Sequence, residues 1–255
     1  MQPGAYMDLA QVTLYVFWIF FACLIFYLRR EDKREGYPLD SDALGGGVVH
    51  GFPRMPSPKS YRLRDGHVAT LPNHKNDRRD VALAPVAPWP GAPLGPTGNP
   101  MLDGVGPGSY ANREDVPELT MENIPCIVPL RLAEGTYLES RDPDPRGMKV
   151  MGADSELGGV VTDVWVDRAE ALIRYLEVEV TTPTGAKRVL LPVPFSKIDG
   201  SRRRVWVDAI LGSQFADVPA TKSMDQVTKL EEDRIVGYFG AGTLYATPAR
   251  QEPLL

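Results

Sequence analysis

The chain contains little of the chemistry from which catalytic and metal sites are usually built. Its 255 residues include two cysteines, Cys23 and Cys126, and three histidines, His50, His67 and His74. There is no CxxC motif or Cys/His cluster, and the histidines lie without ligand spacing in a Gly/Pro-rich segment. The sequence therefore predicts that this chain alone binds no metal or other cofactor. The two cysteines are not expected to pair, because Cys23 lies in a long uncharged run.

An excess of positive charge and an enzyme signature are also missing. The formal net charge is -5, from 28 Lys and Arg against 33 Asp and Glu, which argues against nucleic acid as the main partner. Gly45-Gly46-Gly47 lacks the Lys-Ser/Thr of a phosphate loop, and Gly104–Gly108 is interrupted by proline with no helix expected after it. No nucleophile and base are spaced as a catalytic pair. The sequence favours a scaffold or adaptor, not an enzyme.

Charge is absent from residues 9–28, which are aromatic-rich and apolar. Twenty helical residues span about 30 Å, the thickness of a bilayer's hydrocarbon core. Residues 1–8 contain no Lys or Arg, whereas Arg29, Arg30 and further basic residues follow the run. The positive-inside rule predicts a periplasmic N-terminus and a cytoplasmic remainder.

Two other interpretations of this run are weaker. A cleaved signal peptide would have a basic beginning, a shorter apolar core and a small-residue cleavage site, and these features are missing. A buried core helix is disfavoured because apolar side chains surround the whole circumference. The aromatic rings of Tyr6 and Tyr27 are expected to lie at the membrane interfaces.

The following segment, residues 36–145, is expected to be extended, with small strands. Asp65-Gly66 predicts a hairpin between residues 60–63 and 67–71. Residues 85–108 contain seven prolines and six glycines, which exclude a helix or a central strand. A disordered linker and an extended strap over a partner both remain open, and the apolar side chains in this segment favour the strap.

Residues 146–248 have the sequence pattern of a compact β domain. Alternation in Tyr175–Thr181 predicts a strand with Glu177 and Glu179 on its wet face. Further strands are expected at 157–167, 187–192, 195–198 and 203–207, which together indicate a small β-barrel or sandwich. Ser223–Gln226 has the form of a capping box and predicts a C-terminal helix after it, followed by a tail at 249–255.

One group of charged residues is a candidate site. Asp163, Asp167, Glu170 and Arg174 lie close in sequence where one predicted strand ends and the next begins. If the intervening turn is helical, the last three share a face. On the residues alone, the simplest interpretation is a solvated surface with one ion pair. Carboxylates can also relay protons where burial and neighbours bring their pKa values toward the working pH.

Motifs along the whole chain carry a family resemblance. Arg34–Leu39 follows the anchor, and Asp115–Leu119 and Val164–Asp167 come later. Other motifs are Pro96–Met101, Asp103–Pro107, Leu176–Glu179 and Leu230–Ile235. Each is short, but in this number and order the chain resembles the H (heavy) subunit of the photosynthetic reaction centre of purple bacteria.

The resemblance implies a fold and a function. The fold is a single transmembrane α-helix plus a mainly-β cytoplasmic domain, with a small PRC-type β-barrel and a C-terminal helix. The segments become residues 1–8 (periplasmic), 9–35 (anchor and its extension), 36–145 (strap), 146–248 (barrel and helix) and 249–255 (tail). The function is that of a non-catalytic subunit that caps the L and M subunits and helps deliver protons to the secondary quinone during light-driven electron transfer.

The resemblance also implies surroundings. The complex would lie in the bacterial inner, photosynthetic membrane, in contact with membrane lipids. Bacteriochlorophyll, bacteriopheophytin, quinones and non-haem iron would be held by the partner subunits. A cytochrome subunit and light-harvesting proteins are further candidate partners.

Proton-transfer residues follow from the same resemblance. Glu170 occupies the place of a glutamate on the family's proton route, and Asp167 and Arg174 match its neighbours. Asp163 and Asp115 are added as nearby acids. A surface histidine pair expected after Pro117-Glu118-Leu119 is missing, and Glu122 is the candidate substitute there.

Two rival functions come from other classes. The first is a membrane-tethered PRC-barrel adaptor that recruits a soluble protein or RNA. It is disfavoured because an adaptor needs neither the Pro-rich strap nor the cluster around Glu170. The second is a membrane enzyme in its own right, which lacks a visible active site.

Overall fold

The computed structural model describes residues 8–41, 47–73 and 79–251. These form two compact units: one contains the described residues up to Arg79 with Pro88–Ala92, and the other contains Asp80–Ala87 and the chain from Pro93 onward. Predictions on residues 1–7, on Gly45-Gly46, on His74 and on the end of the tail fall outside the described residues.

The first unit begins with helix α1, Leu9–Glu31, which continues as one 3-10 turn at Asp32–Arg34. None of the α1 side chains is buried within the chain, so its apolar surface needs lipid or protein around it. In the described part of the chain, it is the one helix long and apolar enough to cross a membrane. The helical extension predicted after the uncharged run is present, and Gly36, with φ at +72°, follows it.

Two small sheets complete the first unit. Strands β1 (Leu39–Asp40) and β2 (Val48–Val49) pair antiparallel. Strands β3 (Lys59–Arg62) and β4 (Val68–Leu71) form the hairpin that Asp65-Gly66 predicted. Gly66 has φ at +86°, a conformation that glycine adopts without strain.

The second unit opens with β5 (Leu83–Pro85) and β6 (Leu94–Pro96), an isolated antiparallel pair. A 3-10 turn follows at Gly106–Gly108. The Pro/Gly-rich segment thus forms no α-helix and no central strand, as its composition predicted, although it does supply this short pair.

A seven-stranded sheet forms the body of the second unit. Its strands are β7 (Ile127–Pro129), β8 (Lys149–Met151), β9 (Leu157–Asp167), β10 (Leu172–Thr182), β11 (Gly185–Pro192), β12 (Lys197–Asp199) and β13 (Arg204–Trp206). The pairing order is β11-β10-β9-β8-β13-β12, and β7 also pairs with β9. Only the β8–β13 pairing is parallel. Within residues 79–251 no pairing joins β11 to β12, so hydrogen bonds do not close the predicted barrel.

Helix α2, Lys229–Tyr245, packs against this sheet. The ring of Phe239 stacks on Phe195 and meets Phe215 edge to face, with centroids 5.7 and 6.1 Å apart. The predicted cap at Ser223 is wrong. Thr228 caps the helix instead and exchanges hydrogen bonds with Glu231, because a threonine with a glutamate three residues later satisfies the free amides directly before the apolar stripe.

Glycines allow the Gly106–Gly108 turn to lie directly on α2. A Cβ on Gly237 would lie 2.8 Å from the carbonyl oxygen of Gly108, and one on Gly240 would lie 2.6 Å from that of Pro107. The glycines of α2 therefore permit close packing of this turn against the helix.

Candidate functional site

The turn from β9 to β10 is organised by the buried carboxylate of Asp167. Its Oδ1 accepts hydrogen bonds from the backbone amides of Ala169 (2.9 Å) and Glu170 (3.1 Å). Ala171 completes the turn with φ at +53°. The turn is not helical, so the condition under which Asp167, Glu170 and Arg174 would share a helix face is not met; the side chain of Asp167 shapes the turn instead. The hydrogen bonds to Asp167 fix the backbone of Glu170.

A register shift in β10 brings Arg174 to the same place. The strand pairing passes from Ile173 to Tyr175 and skips Arg174. The guanidinium donates to Asp167 Oδ2 through Nε (3.2 Å) and Nη2 (3.1 Å), and Nη2 also reaches Glu170 Oε2 at 3.1 Å. The structure thus gathers Asp167, Glu170 and Arg174, which we call the open cluster. Their role in proton transfer stays a prediction.

Asp163 was expected in the same group but lies in a different network. Its Oδ2 accepts a hydrogen bond from Arg131 Nη1 at 2.9 Å, and its Oδ1 accepts one from the Val164 amide at 2.8 Å. Directly across the β9–β10 pairing from Asp163 lies Glu177. Sequence proximity alone placed Asp163 with the open cluster, whereas strand direction carries its side chain to other partners.

Glu177 was expected on the wet face, but it is only 3% exposed. Its carboxylate accepts hydrogen bonds from Trp165 Nε1 (3.0 Å), Arg131 Nη1 (3.2 Å) and Thr162 Oγ1 (2.8 Å). Arg188 adds an ion pair at 3.4 Å. We call Arg131, Asp163, Trp165 and Glu177 the closed cluster.

A chain segment distant in sequence covers this face of the hairpin. Arg131 Nη2 donates to the Met224 carbonyl (2.5 Å) and to Asp225 (3.2 Å), so that residues from beyond the sheet lie over Glu177. The alternation in β10 was correctly identified, but it does not reveal what lies over each face. Glu179, two residues on, is exposed as predicted.

Glu232 is a candidate that the sequence did not single out. It lies in the first turn of α2 and accepts a hydrogen bond from the hydroxyl of Tyr175 at 2.8 Å. Burial raises the pKa of Glu232, while the Tyr175 hydrogen bond and the positive charge of Arg174 oppose the rise in part. Glu232 therefore lies within electrostatic reach of the open cluster. The sequence signal was only the acidic run at the start of α2.

Asp115 is held at the N-terminus of α2. Its Oδ1 accepts a hydrogen bond from Thr228 Oγ1 at 2.8 Å, and its Oδ2 is paired with the Lys222 ammonium. The Lys222 hydrogen bond holds the pKa of Asp115 below its usual value. In this position, Asp115 ties the extended segment to the helix that follows the sheet.

Glu122 is exposed in a short hairpin tip, bracketed by a bridge between Leu119 and Pro125. This tip is tied to the β9–β10 turn, because Arg168 donates to the Pro125 carbonyl through Nε at 3.2 Å and to the Cys126 carbonyl through its backbone amide at 3.0 Å. The loop that carries Glu122 and the turn that carries Glu170 are thus joined by direct hydrogen bonds.

Comparison with known families assigns both parts of the chain. Residues 3–132 match the family model of the photosynthetic reaction centre H-chain N-terminal region. Residues 139–214 match the PRC-barrel domain, and this match contains β8 to β13 and the open cluster. The first match alone covers half of the chain. The chain therefore belongs to the H-chain family of the photosynthetic reaction centre and is a membrane-anchored subunit of that complex.

Proposed function

We propose that this subunit caps the L and M subunits on the cytoplasmic side of the membrane and helps to deliver protons to the secondary quinone. The observation that carries the proton-delivery role is the open cluster. In this cluster the exposed carboxylate of Glu170 accepts a hydrogen bond from Arg174, and Arg174 also binds the buried carboxylate of Asp167. In this proposal the pigments, the quinones and the non-haem iron are held by the partner subunits.

The proposed orientation rests on the charges that flank α1. Arg29 and Arg30 are exposed at its C-terminal end, and Asp8 precedes its first residue. The basic flank favours the cytoplasm, so the chain after α1 would lie on that side. In this orientation the open cluster would lie on the side from which protons are taken up.

Exposed apolar side chains support the capping role. Large examples on the segment before β7 and on α2 are Val116, Leu119, Met121, Ile124 and Val236. Exposed apolar side chains in such number are typical of surfaces that meet another protein. The same segment carries Glu122 and leads into the strand that pairs with the end of β9.

The carboxylates divide by their ability to exchange a proton. Glu170 is exposed to water, and burial raises the pKa of Glu232, which favours proton binding. Asp163 is buried on Arg131, and Asp115 is paired with Lys222, which holds its pKa low. We assign proton uptake to Glu170, with Glu122 as a surface collector, and an orienting role to Asp167 and Arg174. Asp163 and Asp115 are weaker candidates.

The change Glu170→Gln tests this function, because it preserves the shape of the side chain and removes its titrating proton. Flash kinetics on the assembled complex should show an unchanged first electron transfer to the quinone. The proton-coupled second transfer should slow by roughly tenfold, which corresponds to about 1.4 kcal/mol of barrier. Glu179→Gln, on the adjoining strand β10 and also exposed, is the matched control and should leave both rates unchanged.

Two results with Glu170→Gln would contradict its assignment to proton uptake. If the second transfer keeps its rate from about pH 6 to about pH 9 in an intact Glu170→Gln complex, then Glu170 does not carry the proton. A complex that does not assemble with Glu170→Gln, while Glu179→Gln assembles normally, would instead assign Glu170 to the interface.

A further inference from the structure

A loop of the first unit places an aromatic ring beside the membrane helix. Phe52 is 85% exposed, yet its ring lies against Phe26 of α1, with centroids 5.9 Å apart. Phe26 lies two residues before Leu28, the end of the uncharged run, so it is about 3 Å inside that end along the helix axis. The ring of Phe52 is therefore level with the apolar part of α1 and remains largely exposed there.

The position of this loop is set by a buried lysine at the end of the helix. Lys33 is 2% exposed, and its ammonium donates to the carbonyl oxygens of His50 and Pro53, both at 2.6 Å. These two carbonyls lie on either side of Phe52 in the chain. The ring of Tyr37 covers the ammonium at 5.0 Å from the ring centroid. Because a buried charge without partners is costly, this arrangement resists separation of the loop from α1.

A glycine allows the loop to turn at this point. Gly51 has φ at +59°, and a Cβ there would lie 3.3 Å from the Lys33 ammonium. The left-handed backbone turns the chain directly before Phe52 and leaves room for the ammonium. The exposed ring is thus presented by a turn that is tied to the helix end.

A second basic residue holds the other end of the loop. Arg34 donates to the carbonyl oxygens of Ser57 (2.8 Å) and Leu71 (2.9 Å) and forms a two-pronged pair with Glu31. Lys59 also binds Glu31, at 2.7 Å. Although Lys33 and Arg34 belong to the basic flank of the anchor, their charged groups are used inside the protein, so they serve to position the loop.

Exposed basic side chains lie at the same end of α1 and in the loop itself. Arg29, Arg30 and Arg54 are exposed, and Lys59 is half exposed beside Tyr27. Aromatic rings are favourable at the boundary between headgroups and acyl chains, and basic side chains around them attract anionic headgroups.

We propose that residues 50–56 form a membrane-interface anchor. In this arrangement Phe52 inserts at the acyl boundary beside α1, among anionic phospholipids. The proposal depends on the membrane placement of α1 and is independent of the proton-transfer role.

Photocrosslinking in the assembled complex tests the proposal in native membranes. Phe52 is replaced by p-benzoylphenylalanine, which keeps an aromatic ring at the site. The control places the same group at Val68, which is 65% exposed on β4 of the same unit and has a comparable apolar side chain. Because interfacial side chains lie within ~5–10 Å of the acyl boundary, phospholipid adducts should be at least about threefold more abundant at position 52.

The analysis of the adducts by mass spectrometry gives decisive results. Phospholipid adducts enriched at position 52 support the anchor. An adduct between position 52 and another polypeptide shows that a protein covers the ring, and equal lipid yields at positions 52 and 68 show no selective insertion; either result overturns the proposal. If a substituted chain does not assemble with its partners, the same comparison with the full chain in nanodiscs of mixed neutral and anionic phospholipids decides between these outcomes.

Discussion

The closed and open clusters each pair an arginine with an aspartate and a glutamate around the β9–β10 hairpin, yet their environments differ. In the closed cluster, Glu177 accepts hydrogen bonds from a tryptophan, an arginine and a threonine and is shielded from water. In the open cluster, the side chain of Glu170 is 57% exposed and that of Arg174 is 41% exposed. What separates them is the presence or absence of a covering segment, since Arg131 draws residues 224–225 over one and no segment is bonded over the other in the described residues.

Irregularities in strand pairing contribute to this difference. The pairing skips Thr162 in β9, whose hydroxyl is thereby available to Glu177, and skips Arg174 in β10, whose guanidinium turns to the end of β9. Such bulges redirect side chains that regular alternation would send elsewhere. The closed cluster is therefore shielded from water, whereas the open cluster remains accessible to water, as the proposed proton uptake requires.

The largest expected effect is loss of stability in the closed cluster. Glu177→Ala removes one of the two buried carboxylates that pair with Arg131 and leaves the buried Trp165 Nε1 without its acceptor. We expect the free energy of unfolding to fall by about 3–5 kcal/mol, as when one partner of a buried ion pair is removed. Chemical denaturation of the detergent-solubilised full chain measures this change.

Glu179→Ala is the matched control, because Glu179 lies on the same strand but is exposed. Its expected change is within about 0.5 kcal/mol. If both variants lose the same stability, burial does not distinguish the two glutamates, and the separation into closed and open clusters fails.

Sequence reasoning was most successful where local rules decide the outcome. The apolar run predicted α1, and Asp65-Gly66 predicted the β3–β4 hairpin. In each case, the interacting groups are separated by few residues, so their relative positions depend little on the rest of the fold.

The same reasoning was unsuccessful where distant segments decide the outcome. The burial of Glu177 depends on Arg131 and on residues 224–225, and the environment of Glu232 depends on Tyr175 of β10. Periodicity identifies the two faces of a strand but not the segment that covers each face. The start of α2 was misplaced for a local reason, since Ser223–Gln226 and Thr228–Glu231 both fit a capping box and only the second directly precedes the helix.

A smaller stability effect is expected at the one buried member of the open cluster. Asp167→Ala removes the acceptor for the amides of Ala169 and Glu170 and should cost about 1–3 kcal/mol. Asp167→Asn keeps an acceptor oxygen for these amides and should cost less. Equal losses for the two variants in the same denaturation assay would show that the ion pair with Arg174, rather than the turn, determines the effect.

The raised pKa of Glu232 predicts a pH-dependent effect. Because the folded state binds this proton more tightly than the unfolded state, its contribution favours folding below the usual value of 4.5 and is lost as the pH rises through the raised value. Glu232→Gln keeps an acceptor for the Tyr175 hydroxyl and removes the charge. The variant should gain thermal stability relative to the parent above pH 4.5, and its melting temperature should depend less on pH. If the melting temperatures of the variant and the parent change with pH in parallel, Glu232 has the same pKa in the folded and unfolded chain.

The smallest expected effect on stability is that of Glu170→Gln, the variant with the largest expected effect on proton delivery. The Glu170–Arg174 pair is mostly exposed, at 57% and 41% of the two side chains, and such pairs contribute about 0–1 kcal/mol. Arg174 keeps its two contacts with Asp167 when the pair is lost. The free energy of unfolding should therefore change by no more than about 0.5 kcal/mol. A loss above about 2 kcal/mol would exceed what an exposed pair can supply and would make Glu170 a structural residue like Glu177. A small loss, together with a slowed second electron transfer, would instead assign the kinetic defect to the missing proton, because the surrounding turn would be intact.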